Sequence, residues 1–134
     1  MNIVESTRNQ LGNARNPHQG PTKKVLCVCS AGLLRSPTLA KAIGEAYGFN
    51  TRAVGACKPF ALIPISEALL IWADEIVFVD FDAYQEAMTN PEDKAKICAK
   101  FGANEIKILD ILDRYDWGAP ELVEACLQQY GELV

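Results

Sequence analysis

The sequence predicts an α/β domain with a parallel sheet covered by helices on both faces. Three observations carry this. Four short segments, at residues 25–29, 50–54, 75–80 and 105–110, read as strands, and the first and third are near-continuous apolar runs, as strands buried on both faces are. Segments with apolar residues at helical spacing lie between them, and that alternation implies parallel pairing with crossover helices. The 134 residues, 49% apolar and 22% charged, suffice for one core and are too few for two.

The elements follow in order. Residues 1–22 are rich in Asn, Gln, Gly and Pro and read as a loosely packed or disordered tail, with a single domain over 23–134. The only histidine, His18, lies in this tail, where nothing would hold it for chemistry. The run VLCVC (25–29) is the first strand. Ser36-Pro37 reads as an N-cap followed by proline at the first helical position. Leu39, Ala42, Ile43 and Ala46 continue that helix, and Gly48 ends it. Residues 64–73 form a second helix with Ile65, Leu69 and Trp72 on one face. Strand EIVFVD (75–80) leads into helices over 81–88 and 91–101, the latter introduced by Asn90-Pro91 and stopped by Gly102. Strand EIKILD (105–110) precedes a last helix over 120–130, which carries Leu122, Cys126 and Tyr130 on one face.

Charge and cysteine content narrow the function. The net charge is -4, divided as +3 over residues 1–24 and -7 over 25–134. An acidic body lacks the basic face that nucleic acid requires, so no nucleic-acid partner is expected. No apolar run is long enough to span a membrane, and the polar start has no signal-peptide core, so a cytoplasmic location without membrane partners is expected. Five scattered cysteines fit reduced thiols. Cys27 reads as core packing, since a Cys-x-Cys metal site lacks further ligands nearby, and no metal or other cofactor is expected. Cys57, Cys98 and Cys126 read as ordinary thiols, and the charges of 92–94 with Lys96 and Lys100 as a solvated helix face.

Ligands of open parallel sheets bind at the carboxyl ends of the strands. After the first strand come Cys29-Ser30-Ala31-Gly32-Leu33-Leu34-Arg35-Ser36-Pro37. Five small or apolar residues between Cys29 and Arg35 allow a tight loop whose backbone N–H groups converge on a tetrahedral oxyanion. The following helix aims its positive end at the same point. Arg35 can hold two phosphate oxygens with its planar fork. A helix N-terminus and an adjacent cation favour a thiolate at Cys29, a nucleophile facing a bound phosphoryl group, with the Ser36 hydroxyl placed to support it. No Gly-Lys-Ser/Thr follows, so this is not a Walker-type nucleotide loop. Asp110, Asp113 and Asp116 crowd the end of the last strand, where a carboxyl group suits general acid work. Tyr115 and Trp117 could wall a cleft for an aromatic ring or pack the sheet edge.

Residues 25–43 (VLCVCSAGLLRSPTLAKAI) resemble the signature of the low-molecular-weight protein tyrosine phosphatases, including their short bacterial and phage-type members. The resemblance continues weakly through 68–80 and 109–127 and covers nearly all of 24–130. It implies a four-stranded parallel sheet of order 2-1-3-4 and a cysteinyl-phosphate intermediate. It makes Cys29 the nucleophile, Arg35 the phosphate clamp, Ser36 the thiolate stabiliser, and Asp113, within Asp113-Arg114-Tyr115, the general acid. Ser30, Ala31, Gly32, Leu33, Leu34, Ser36 and Tyr115 would line the phosphorylated substrate, a phosphotyrosine protein or small aryl phosphate. Several positions depart from the family: Ala31-Gly32 replaces Gly-Asn, Ala53-Val54-Gly55 replaces Ser-Ala-Gly, Leu34 replaces a second loop cysteine, and Arg114 replaces a proline. Two alternatives stay open: a non-catalytic phosphate- or partner-binding module of the same fold, and an arsenate reductase, which would need two further cysteines close together. Oligomeric state is not legible in the sequence.

Overall fold

The structure is a computed structural model that describes residues 22–30, 35–57, 61, 63–111 and 119–133. The described elements run β1 (Lys24–Cys29), α1 (Arg35–Tyr47), β2 (Asn50–Gly55), α2 (Glu67–Trp72), β3 (Glu75–Phe78), α3 (Phe81–Met88), α4 (Pro91–Lys100), β4 (Ile106–Ile108) and α5 (Pro120–Leu133). The strands form one parallel sheet of order β2-β1-β3-β4, as the resemblance implied. Helices α1 and α5 pack together on one face; α2, α3 and α4 associate on the other. The central strand β1 shows why a run of apolar residues was needed: Val25, Leu26, Cys27 and Val28 are all fully buried, with helices above and below. Burying each large apolar side chain of such a core stabilises by about 1.5–3 kcal/mol.

Helix boundaries follow local chemistry. Gly48 ends α1 at φ 70°, a left-handed conformation that glycine adopts without steric cost. Asp80 caps α3 through Ala83 N–H at 2.8 Å, and Asn90 caps α4 through Asp93 N–H at 3.1 Å with Pro91 beginning the helix. Leu122, Cys126 and Tyr130 form the fully buried stripe of α5.

Several expectations are corrected. Helix α1 begins at Arg35, so Ser36 lies inside it rather than capping it. Its hydroxyl faces the sheet and donates to the Val54 carbonyl at 3.3 Å. The second helix is shorter than 64–73, because Pro64 bridges to Gly55 and Ser66 provides the cap through Leu69 N–H. Ile65 is buried ahead of that helix, and Leu70 is its buried residue. Strand β3 stops at Phe78, since the Asp80 side chain turns back to cap α3. The charged run on α4 is not wholly solvated: Asp93 is buried, and Lys100 donates to the carbonyls of Leu70 (2.6 Å) and Ile71 at the end of α2.

The amino end of the sheet is closed by a buried charge cluster. Glu75, 1% exposed, accepts from Lys23 Nζ at 2.6 Å, from Lys107 Nζ, and from Tyr130 Oη at 2.7 Å. Burial pushes the Glu75 carboxyl up, and the hydrogen bonds from Lys107, Lys23 and Tyr130 more than reverse this, so it titrates below the ordinary glutamate range.

Candidate active site

The carboxyl ends of β1 and β3 bring together the residues singled out after the first strand. Strand alternation sends Cys29 toward the α1 face and Ser30 toward the other. Cys29 Sγ lies 3.1 Å from Ser36 Oγ, within hydrogen-bond reach across the start of α1, and both residues are buried. The strand stem is paired on both sides. Ala56 N–H donates to the Cys29 carbonyl at 2.8 Å, Cys57 N–H to the Ser30 carbonyl at 2.7 Å, and Val79 N–H to the Val28 carbonyl at 2.9 Å. Cys29 and Ser30 therefore stand on a backbone paired with its neighbours on both sides.

Arg35 opens α1 and is 8% exposed. Its Nη1 donates to Asp80 Oδ2 at 2.5 Å and to the Ile111 carbonyl at 2.9 Å. The guanidinium thus reaches from the first helix over the sheet to the ends of β3 and of the chain leaving β4. Ile111 is held there by its own N–H to the Val79 carbonyl at 2.9 Å. On the far side of the loop entrance, Ser30 Oγ donates to Glu86 Oε2 on α3 at 2.7 Å.

Of the residues expected to act, Cys29, Ser30, Arg35 and Ser36 share this end of the sheet. Ala31, Gly32, Leu33, Leu34, Asp113 and Tyr115 lie outside the described residues, as do His18, Asp116 and Trp117. The backbone of Asp110, another acidic candidate, is tied to α5: its N–H donates to Gln129 Oε1 at 2.6 Å and its carbonyl accepts from Gln129 Nε2 at 3.0 Å.

The remaining thiols differ in kind. Cys27 is fully buried and its thiol is pushed up by burial, with Cys126, Glu75 and Cys29 adding smaller contributions. Burial pushes Cys126 up to about 12. Both are poor nucleophiles near neutrality. Cys98 is exposed on α4. Cys57, read from the sequence as an ordinary thiol, has its backbone beside Ser30. Sequence reasoning also passed over Asp80 and Glu86. Asp80 could have been found, because it ends the third predicted strand on the sheet edge where ligands bind. Glu86 carries no such signal, since five residues of helix separate it from that edge.

The fold matches a known architecture. The structure of Vibrio vulnificus Wzb, a low-molecular-weight protein tyrosine phosphatase solved in complex with benzylphosphonate, is similar over 84% of this chain and 94% of that one, with a TM-score of 0.54 and 16% identity. No family model and no curated protein matches the sequence. The chain has the fold of a low-molecular-weight protein tyrosine phosphatase: a four-stranded parallel sheet of order 2-1-3-4 flanked by helices.

Proposed function

We propose that the protein is a cysteine-dependent phosphomonoesterase of the protein tyrosine phosphatase type. The observation that carries this reading is the Cys29–Ser36 contact of 3.1 Å at the carboxyl end of the central strand, with Arg35 anchored beside it. In the proposed reaction Cys29 Sγ attacks phosphorus in line, forming the S–P bond as the ester P–O bond breaks. Arg35 and the loop N–H groups hold the equatorial oxygens, supplying positive charge where negative charge spreads in the transition state. Ser36 supports the sulfur as nucleophile and later as leaving group. Asp113 gives its proton to the departing oxygen, then takes one from the water that hydrolyses the cysteinyl phosphate. The substrate is a phosphotyrosine protein or small aryl phosphate, and the compartment is the cytoplasm.

Arsenate reduction is less favoured. It would pass a disulfide through two further thiols close together, and Cys27 and Cys126 are buried with raised pKa values, which leaves half-buried Cys57 beside Ser30 and exposed Cys98 on α4, 41 residues further along the chain.

Hydrolysis of p-nitrophenyl phosphate by the wild type and by Cys29→Ser tests the proposal. The wild type should turn over, and Cys29→Ser should lose at least about three orders of magnitude in kcat while still binding phosphate. Near-wild-type activity in Cys29→Ser would remove Cys29 as nucleophile. A wild type that binds phosphate without turnover would make the protein a binding module.

A further inference from the structure

The two edges of the sheet differ. Strand β2 has five of its six residues buried, and its end at Gly55 is continued by a bridge to Pro64. At the other edge, β4 keeps only Lys107 buried, and Ile108 is 36% exposed. The Glu105 carbonyl accepts from Ile76 N–H at 2.9 Å, and Leu109 N–H donates to the Phe78 carbonyl at 2.9 Å. In this parallel ladder the odd-numbered residues therefore face β3, and Ile106 and Ile108 point N–H and C=O outward. Among the described residues nothing pairs with those groups. The next outward residue, Asp110, is completed differently. Gln129 Oε1 accepts from its N–H at 2.6 Å and Gln129 Nε2 donates to its carbonyl at 3.0 Å, the two bonds that a neighbouring strand would make. Beside this edge lie two hollows of about 470 and 450 Å³ that share Ile108 and Leu133, the latter 48% exposed at the end of α5. An unpaired apolar strand edge is a template for a further strand. We infer that residues 2–7 of this same chain (Asn2-Ile3-Val4-Glu5-Ser6-Thr7) pair with β4 at Ile106 and Ile108 as a fifth strand, so that one of Ile3 and Val4 covers the groove at Leu133.

Three observations select this occupant. The first is where the chain enters the described fold. Thr22 Oγ1 accepts from Asn50 Nδ2 at 2.8 Å, and Lys23 Nζ donates to Glu75 at 2.6 Å. Glu75 also takes Lys107 Nζ from β4 and Tyr130 Oη from α5, so the root of the segment is tied to both walls of the groove. From β1 to a strand outside β4 is three strand spacings, roughly 14 Å, at the amino end where Thr22 lies. Residues 8–21 span up to about 45 Å when extended, which leaves slack for Pro17, Pro21 and turns at Gly12 and Gly20. The second observation is charge. Asp110 and Glu132 line the groove and Glu105 is exposed next to it, while Lys107 is buried and paired with Glu75. Residues 1–21 carry Arg8 and Arg15 against Glu5 alone. The third is side-chain type. Ile3-Val4 is the one adjacent pair of large apolar residues in 1–21, and with Thr7 it supplies the β-branched side chains that a pleated edge favours. Pairing at two residues is weak from free solution. A tethered segment is held at roughly millimolar effective concentration, so the chain's own end reaches the edge ahead of a free peptide.

The rivals are an edge open to solvent and an edge covered by a second copy. Amide hydrogen exchange, read by NMR on the full chain, separates them, because alternate residues of one strand report on its two sides. In the wild type the Ile106 and Ile108 amides should exchange about ten- to a hundredfold more slowly than unprotected amides. The double substitution Ile3→Pro, Val4→Pro bars the pairing in either register, since one of two adjacent residues must aim its N–H at β4 and proline has none. It should return Ile106 and Ile108 to nearly unprotected rates. Leu109, bonded to β3, and Asp110, bonded to Gln129, should keep their wild-type protection. The melting midpoint should stay within about 3 °C, because the substituted residues lie outside the core. Wild-type protection should be the same at about 50 μM and about 1 mM protein, as intramolecular pairing requires. Unprotected Ile106 and Ile108 amides in the wild type would overturn the inference. So would protection that survives the two prolines, or an equal loss at Leu109, which would mean a general loosening of β4. Protection that grows with protein concentration would overturn it in favour of a second copy. None of these outcomes bears on the phosphomonoesterase reading, which Cys29→Ser tests separately.

Discussion

At the amino ends of β1, β3 and β4 the buried Glu75 carboxylate collects two lysines and a tyrosine; at the carboxyl end of the same sheet the buried Arg35 guanidinium meets Asp80 and the Ile111 carbonyl. Both clusters bury a charge and both join elements far apart in sequence. They differ in what surrounds them. Around Glu75 every partner is a side chain of the domain, and Tyr130 Oη and the two Nζ groups converge on its two oxygens. Around Arg35 the neighbours are a thiol–hydroxyl pair, the start of a helix and the entrance to a loop. A shifted pKa is therefore a poor guide to function in this molecule. Glu75 has one and reads as a structural pin, because its two oxygens are taken up by Lys23, Lys107 and Tyr130. The distinction lies in chemistry at hand, a thiol near a guanidinium, at the sheet edge where parallel folds bind ligands.

Substitutions can break this contrast. Arg35→Lys should cut kcat/KM for p-nitrophenyl phosphate by about 10²–10³-fold, because a point charge cannot replace the fork. Activity near wild type would show that Arg35 is not the clamp. Asp113→Asn sharpens the reactive side further. It should slow phosphotyrosine hydrolysis by about 10²-fold or more and p-nitrophenyl phosphate much less, since p-nitrophenolate leaves without a proton. If Asp116→Asn shows that dependence on leaving group and Asp113→Asn does not, the acid has been placed three residues too early.

The amino end should respond in stability rather than rate. Glu75→Gln leaves the buried Lys107 ammonium and the half-buried Lys23 ammonium without their carboxylate. It should lower stability by about 3 kcal/mol, and the melting midpoint by roughly 10 °C, with kcat unchanged where the protein is folded. A loss of activity without a loss of stability would mean that the two ends are coupled. The same carboxylate gives the smallest and most graded effect, in acid. Its folded-state pKa lies below the ordinary value, so its contribution is complete above that ordinary value and disappears as pH falls through the lower, folded value. Denaturant titrations from neutral pH down to about pH 3 should show the wild type losing stability in this window. Glu75→Gln should show a shallower decline.

Much of the fold was legible, and the reasons for the exceptions are local. Strands β1 and β3 announce themselves as apolar runs because helices cover both of their faces. Strand β4 is shorter than 105–110: Ile106–Ile108 are in register with β3, and Glu105 and Leu109 add one backbone hydrogen bond each. Ser36-Pro37 has the composition of a helix start, yet the helix begins at Arg35 and the serine turns inward to Cys29, a contact that propensity alone does not foresee. Asp80 looks like the last residue of a strand; its role as cap and as partner of Arg35 depends on a residue 45 positions away. Likewise Asp93 sits in a run of charges that reads as solvated, and packing buries it. The site residues at the end of β1 were legible because their chemistry is contiguous in sequence. Those supplied by α3 were not, because only the sheet's strand order brings them there.

The central claim is that Cys29 carries the phosphoryl group between the two halves of the reaction. Acid quenching within milliseconds of mixing with an aryl phosphate, followed by peptide mass mapping, tests it directly. One phosphoryl group on the peptide containing Cys29, absent in Cys29→Ser and accumulating when Asp113→Asn slows its hydrolysis, is the predicted result. Turnover with no phosphoryl group on Cys29, or with the group on another residue, would contradict the account.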